Sequence, residues 1–384
     1  MSESSDIIIV GGGVIGLSIA DELARAGVGV RVFDRRAPDF AASWAGAGII
    51  APLAETPSQD ASSQLRYRSA ARYQDWSLRL LEETGIDNGY RRCGGVDIAA
   101  TEEEDEALHA MTGRWRKDGV CFERMLPKDF ARVEPSLNPN LFSLYFLPER
   151  AQVRNPRHLR ALRASLRLRG VNVHEDTEVV ALRVQEEHII SVITHNDTFW
   201  CSNVVVAAGP WTARLLEPLG LDVPTPPIKG EIVLLKAARR VLSRIIEHGK
   251  HYLVPRDDGR VLVGATEESV GFDTSSTEDA RLRLLTFAHQ TCPILANSEF
   301  EVERVWAGLR PGSSDSRPYL GRSPNHDNLF IASGHARMGL QLAPATAEVM
   351  TDLILKRPPR IDLSRFRIGR ELDASDPLDW PFRS

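Results

Sequence analysis

Gly11, Gly13 and Gly16 form a G-x-G-x-x-G run directly after the apolar stretch Ile7-Ile8-Ile9-Val10. Glycines at this spacing allow a tight turn, a close approach of backbone to a pyrophosphate, and close packing of helix on strand. Val14 and Ile15 open the helix that follows, where free N–H groups and the helix dipole attract phosphate charge. Asp34 lies 18 residues after Gly16, at the end of a second apolar run, Val30 to Phe33. A carboxylate there accepts hydrogen bonds from an adenosine ribose, and it would repel a 2′-phosphate despite the neighbouring Arg35. Strand, glycine turn, helix, strand and terminal acid fall in the order that dinucleotide binding requires.

Three further segments extend the site. Ala42-Ser43-Trp44-Ala45-Gly46-Ala47-Gly48-Ile49 is a run of small residues around one tryptophan, suited to backbone lying against a flat ring or a phosphate. Val204 to Ala208 reads as a buried strand ending at the Gly209-Pro210-Trp211 turn, at the carboxyl edge of a sheet where ligands bind. Leu329 to Ser333 reads as another, followed by Gly334-His335-Ala336-Arg337-Met338-Gly339-Leu340-Gln341 and a helix over 344–355. A glycine-bounded turn before a helix N-terminus suits the polar edge of a flavin, where negative charge appears on reduction. No second G-x-G-x-x-G follows residue 16. If the site holds FAD, the electrons therefore come from the substrate itself.

The elements that must position these groups fit an ordinary globular α/β chain. The protein has 384 residues, 42% hydrophobic and 26% charged, with a net charge of −5. That length suggests two or three domain-sized units. No basic block is long enough to hold nucleic acid by charge. The longest apolar stretch, residues 7–20, is broken by glycines and is shorter than the roughly 20 residues of a membrane span. Cys93, Cys121, Cys201 and Cys292 have no metal-ligand spacing, and no signal-peptide pattern opens the chain. The reading is a reduced, cytoplasmic protein without a metal or an integral membrane segment. Asn155-Pro156 is expected to cap a helix with Leu159, Leu162 and Leu166 inward, and Arg157, Arg160, Arg163 and Arg167 on a solvated face.

On the glycine run with Asp34, Ser43 to Gly48, Val206-Ala207-Ala208-Gly209, Trp306-Ala307-Gly308-Leu309-Arg310-Pro311 and Gly334 to Gly339, the chain resembles the glycine oxidase type of the D-amino-acid oxidase superfamily of FAD enzymes, often linked to thiamine biosynthesis. The resemblance implies an α/β fold with a Rossmann-like, glutathione-reductase-type FAD-binding domain interleaved with a substrate domain on a large mixed β-sheet. The FAD-binding parts are expected at 1–90, 151–225 and 326–365, the substrate parts at 91–150 and 226–325, and a tail at 366–384. It implies FAD contacts at Gly11, Gly13, Val14, Ile15, Gly16, Asp34, Arg35, Ala42, Ser43, Ala47, Gly48 and Ile49. It implies others at Val179, whose backbone meets the adenine, and at Ala208, Gly209, Trp211, Gly334, His335, Ala336, Arg337, Met338, Gly339, Leu340 and Gln341.

By the same resemblance, Arg310 is the substrate carboxylate clamp, which the planar guanidinium fork suits. Tyr252 joins that clamp, and Arg337 lies beside substrate and flavin. Glu267 falls at a pocket position that is apolar in some glycine oxidases. It pairs with a substrate ammonium or is a surface strand-end glutamate. His248 and His251 are candidates for the pocket mouth, with core or surface positions preferred. No cysteine occurs over 310–321, where some relatives tether the flavin, so FAD is expected to be non-covalent. The implied reaction is oxidative deamination of glycine, sarcosine or a small D-amino acid, with hydride passing to flavin N5 and O2 reoxidising it to give H2O2. The alternative is a D-amino-acid or 2-hydroxy-acid dehydrogenase that passes electrons to a quinone or another acceptor. A homo-oligomer is possible within the superfamily.

Overall fold

The computed structural model describes residues 5–35, 41–55, 59–237, 239–297 and 299–371. In chain order the strands are β1 (Ser5–Val10), β2 (Val30–Phe33), β3 (Ile49–Ile50), β4 (Gly95–Ala99), β5 (Glu123–Met125), β6 (Ser143–Leu147), β7 (Ala151–Gln152), β8 (Asn172–His174), β9 (Val179–Gln185), β10 (His188–Thr194), β11 (Thr198–Val206), β12 (Pro227–Lys236), β13 (Ile245–His248), β14 (His251–Pro255), β15 (Val261–Gly264), β16 (Glu301–Pro311), β17 (Tyr319–Arg322) and β18 (Leu329–Ser333). The α-helices are α1 (Val14–Arg25), α2 (Ala42–Ala45), α3 (Ala61–Thr84), α4 (Glu102–Asp118), α5 (Asn155–Leu168), α6 (Thr212–Leu216), α7 (Glu278–Thr291) and α8 (Gly339–Ile354).

The first sheet has the order β17-β18-β11-β1-β2-β8, and β9 and β10 extend it beside β11. The β18-β11-β1-β2-β8 path is parallel, with β17 antiparallel at its edge. Its strands are apolar runs because both faces are covered. Ile7 and Ile9 face a core shared with α1, α3, α5 and α8, while Ile8 and Val10 face Val179, Leu182, Ile189 and Val192. β17 belongs to this sheet, so the chain returns to it by residue 319, before the boundary expected at 326. The start of the expected tail is also packed. Phe366 is fully buried and Arg370 forms a two-pronged pair with Asp315 at 2.8 Å. Residues 372–384 of that tail lie outside the described residues.

The second sheet is mixed and runs β16-β12-β15-β14-β13-β4-β6-β5. One row of cross-strand partners reads Trp306, Ile232, Gly264, Tyr252, Glu247, Asp97 and Tyr145. Partners directly opposite one another share a face. The neighbouring row, Val233, Val263, Leu253, Ile246 and Val96, points the other way and packs on Leu284 and Ala288 of α7. One face of this sheet is thus hydrophobic core, and the other carries the polar groups.

Three expectations about helices are corrected. α5 is capped by Arg154, not Asn155, and Pro156 follows inside its first turn. The Asn155 side chain instead donates from Nδ2 to the Ser43 carbonyl at 2.7 Å. Arg163 is buried rather than solvated, because four residues after Leu159 it falls on the inward face. It donates to the Gly12 carbonyl at 3.0 Å and pairs with Glu175 at 3.1 Å. α8 starts at Gly339, five residues before the expected Pro344, which lies inside it.

Candidate active site

The carboxyl ends of β1, β2, β11 and β18 open onto one continuous cavity of about 1380 Å³. It runs from Arg35, Trp211 and His195 at one end, past the glycine turn and α2, to Arg310, Tyr252 and Glu247 at the polar face of the second sheet.

The turn is built around missing side chains. A Cβ at Gly11 would overlap the Ala207 carbonyl, and one at Gly12 would meet the Asp34 carboxylate. The Gly12 N–H donates to Asp34 Oδ2 at 2.9 Å, so the acid at the end of β2 also fixes the turn after β1. Gly16 faces the Gly11 carbonyl and brings α1 onto the strand. Gly13, the N-cap of α1, has no capping side chain, and the first turn contains no acidic residue. A helix start of this kind attracts an anion.

The small-residue segment is held from α1, α5, β16 and the residue after β14. Ser43 Oγ accepts from the Val14 N–H at 2.9 Å, and Asn155 holds the Ser43 carbonyl. Trp306 Nε1 donates to the Ala45 carbonyl at 3.1 Å, and Arg256 Nη2 to the Ala47 carbonyl at 2.7 Å. Gly48 has φ +78°, and a Cβ there would strike the Val153 carbonyl. At the far edge, Arg35 stacks on Trp211 at 3.6 Å from the ring centroid and lies 3.8 Å from Glu178.

The turn after β18 places Ala336 in the left-handed region at φ 47°, where a residue with a Cβ costs about 1–3 kcal/mol. Gln341 lines the cavity beside the start of α8, and its buried Nε2 has no hydrogen-bond partner among the described residues. His335 is fully buried, and burial lowers its pKa to about 3, so it is neutral. Its Nε2 lies 3.1 Å from Thr346 Oγ1.

The polar groups of the second sheet lie flat on it because glycines stand beneath them. A Cβ at Gly230 would overlap the Arg310 guanidinium, one at Gly264 the Tyr252 ring, and one at Gly95 the Arg150 side chain. Arg310 donates to the Thr266 carbonyl at 3.2 Å and meets the Tyr252 hydroxyl. Burial lowers the Arg310 pKa and raises that of Tyr252. No carboxylate stands within ion-pair distance of Arg310 among the described residues; its nearest partners are a carbonyl and a hydroxyl, with the Glu267 carboxylate acting on it from farther off. Arg337 donates to the Lys250 carbonyl at 2.9 Å and lies 4.0 Å from Glu267.

The residues expected at the site therefore come together. Arg310, Tyr252, Arg337 and Glu267 line the cavity, as do the expected FAD contacts apart from Gly16 and Gly334. Those two glycines serve packing. A Cβ at Gly334, where φ is +76°, would strike the Tyr319 ring. His248 and His251 do not line the cavity, and His248 lies 2.8 Å from Glu104. Sequence reasoning missed Gly12, Gly230, Gly264, Asp97, Arg150 and Glu247. The signal for the first three was glycine inside a turn or strand, which marks close approach of another group. The buried charges carried no local signal.

A family model for FAD dependent oxidoreductases, DAO, matches residues 6–353. The chain belongs to the DAO family of FAD-dependent oxidoreductases. FAD is its cofactor. The cavity fits that group: a glycine turn leading into a helix start without an acidic residue suits the pyrophosphate, Asp34 the ribose, and Gln341 on the cavity wall a polar ring edge. Among DAO-family relatives, the chain is 37% identical to a glycine oxidase of Pseudomonas aeruginosa, over 94% of this chain and 97% of that protein. The crystal structure of glycine oxidase from Geobacillus kaustophilus superposes with a TM-score of 0.91 at 32% identity, covering 96% of this chain and all of that one. An iminodiacetate oxidase from Chelativorans superposes at 0.86 with 27% identity, over 94% and 98% of the two chains. No helix among the described residues is long and apolar enough to cross a membrane.

Proposed function

We propose that this enzyme oxidatively deaminates a small amino acid of the glycine, sarcosine or small D-amino-acid type. The observation that carries the reading is Arg310: a half-buried guanidinium with no carboxylate in ion-pair contact among the described residues, facing the same cavity as the FAD-binding segments. An unpaired buried charge is costly, and a substrate carboxylate compensates it. Tyr252 sets the fork of Arg310 and adds a hydroxyl donor. Arg337, tied to the Lys250 carbonyl and facing Glu267, closes the site from the α8 side. Glu267 is thereby a partner of Arg337 in this reading.

Gly11 to Ile15 and Asp34 hold the pyrophosphate and ribose of FAD. The segments 42–49 and 335–341 hold its ring system, and Val179, Arg35 and Trp211 its adenine end. None of the four cysteines lines the cavity, which supports non-covalent binding. When bound, FAD supplies the acceptor for two electrons from the amine carbon and returns them to O2. The balance is amino acid, water and O2 to oxo acid, ammonia or amine, and H2O2. The protein's work is to orient the Cα–H and to exclude water.

In this reading the FAD-binding part is built from 1–90, 151–225 and the chain from β17 onward, and the substrate part from 91–150 and from 226 up to β17. Four unpaired thiols favour a cytoplasmic location. Assembly into a homo-oligomer is measurable by light scattering. An anaerobic flavin-reduction screen over glycine, sarcosine, small D- and L-amino acids and 2-hydroxy acids tests the substrate class. Bleaching by small amino acids is expected, and bleaching by hydroxy acids alone would overturn the reading. Reoxidation of the reduced enzyme by O2 within seconds separates an oxidase from a dehydrogenase.

A further inference from the structure

Amine oxidation needs the substrate nitrogen uncharged, yet a free amino acid carries an ammonium group at neutral pH. Arg310 and Arg337 can only donate hydrogen bonds, and burial keeps Tyr252 protonated. Glu267, the carboxylate that the sequence marks for the amine, faces Arg337 instead.

A different carboxylate stands in the cavity wall. Glu247 is the cross-strand partner of Tyr252, and Asp97 continues the same row. Both carboxylates share one cation. Arg150 Nη1 lies 2.6 Å from Asp97 Oδ1 and 2.7 Å from Glu247 Oε2, and its Nη2 lies 3.1 Å from Asp97 Oδ2. Asp97 takes the whole guanidinium fork, so Glu247 meets a cation that is already paired. All three side chains are buried and line the cavity. With both carboxylates ionised, the cluster holds two negative charges against one positive.

The other groups facing Glu247 are Arg337 from the turn before α8 and Tyr252 from β14, behind which lies Arg310. His248, next to Glu247 on β13, is occupied by Glu104 of α4. Burial pushes the Glu247 carboxyl up to about 7; Asp97 acts in the same direction, while Arg150 and Arg337 oppose it. A cation at Arg310 with no carboxylate in ion-pair contact, and at Glu247 a second carboxylate on the one cation of Arg150, with Tyr252 between them, match the charge pattern of a zwitterion.

We propose that Glu247 accepts the proton of the substrate ammonium. On binding, one N–H bond of the ammonium breaks and its electron pair stays on nitrogen. The proton forms an O–H bond on the carboxylate. A neutral amine and a neutral carboxylic acid result, beside the Arg150–Asp97 pair. The inference rests on the amine-oxidation reading above.

The test is anaerobic stopped-flow reduction of E247Q holoenzyme, from pH 6 to 10, with the amino acid that reduces the unaltered enzyme best. At pH 7 the ratio of reduction rate to dissociation constant should fall by about 10² in E247Q, a usual loss for a proton acceptor. It should recover by about tenfold per pH unit, as solution supplies the free amine, and converge on the unaltered enzyme at high pH. Binding of acetate, which has a carboxylate and no amine, should not weaken, whereas general damage to the site would weaken it. A pH profile parallel to that of the unaltered enzyme would overturn the proposal.

If E247Q does not retain flavin, the unaltered enzyme decides. Binding of 2-aminoisobutyrate, which has no Cα–H, at pH 8 in weak buffer should release no net proton. Release of about one proton per site would sink the proposal. Absence of reduction by any amino acid in the unaltered enzyme would overturn the underlying reading instead.

Discussion

Arg310 can reach across β12 only because residue 230 has no side chain. Two variants separate the roles of these positions. R310A removes a half-buried, charge-assisted clamp, and kcat/KM for the amino acid should fall by about 10² or more, equivalent to about 3 kcal/mol. G230A keeps the arginine but pushes its guanidinium aside. Its KM should rise by about tenfold while flavin content stays unchanged, measured by steady-state kinetics and the absorbance ratio of flavin to protein. An unchanged KM in G230A would mean that Arg310 does not hold the substrate from this position. Arg310 itself was legible in the sequence through its Trp-Ala-Gly-Leu-Arg-Pro setting. Gly230 was not, because its role depends on a strand partner roughly 80 residues away in the chain.

At the scale of elements, α8 is the informative case. Pro344 lies in its second turn and has no N–H for the Leu340 carbonyl four residues before it. α3 repairs the gap from outside. The Tyr73 hydroxyl donates to that carbonyl, and Ser69 Oγ accepts from the Ala345 N–H at 3.0 Å. The sequence reading began this helix at the proline, a good first-turn residue. Only the two hydroxyls of α3 allow the helix to begin five residues earlier and place Gly339, Leu340 and Gln341 at the cavity.

Y73F should therefore cost about 1–3 kcal/mol of stability and weaken FAD retention, by thermal shift and by flavin release. P344A restores an N–H for Leu340, so Y73F should cost clearly less in the P344A background. Equal costs in the two backgrounds would show that the hydroxyl does not serve the carbonyl left without an N–H by Pro344.

For the whole molecule, acid stability follows from buried histidines. His158 and His335 are fully buried, and desolvation lowers each pKa to about 3. Asn88 Nδ2 donates to His158 Nδ1 at 3.1 Å, which suits a neutral ring. The unfolded chain takes up these protons at about pH 6.5, and the folded chain does not. Their stabilisation is therefore complete above about pH 6.5 and is lost as the pH falls toward 3, by up to about 1.4 kcal/mol per pH unit for each ring. Glu247 acts in the opposite sense. Its folded pKa of about 7 exceeds the unfolded value, so its contribution is present at low pH and declines as the pH rises toward 7. Urea midpoints between pH 5 and 6.5 should fall with acidification. H335Q should flatten that dependence and E247Q should steepen it; the reverse pattern would show that these groups do not titrate as their burial dictates.

Several features were fixed by local sequence. Ile7 to Val10 could only be a strand buried on both faces, and three glycines in register with Asp34 could only turn tightly into a helix that binds phosphate. These depend on neighbours within about 30 residues, where steric limits and hydrogen-bond reach are set by the chain itself. Tertiary structure decided the burial of Arg163, the partner of Asn155, the start of α8 and the row Tyr252–Glu247–Asp97. Each of these turns on which distant strand or helix lies alongside. A side chain's charge, partner and burial are properties of the packed surroundings, and no spacing in the linear chain encodes them.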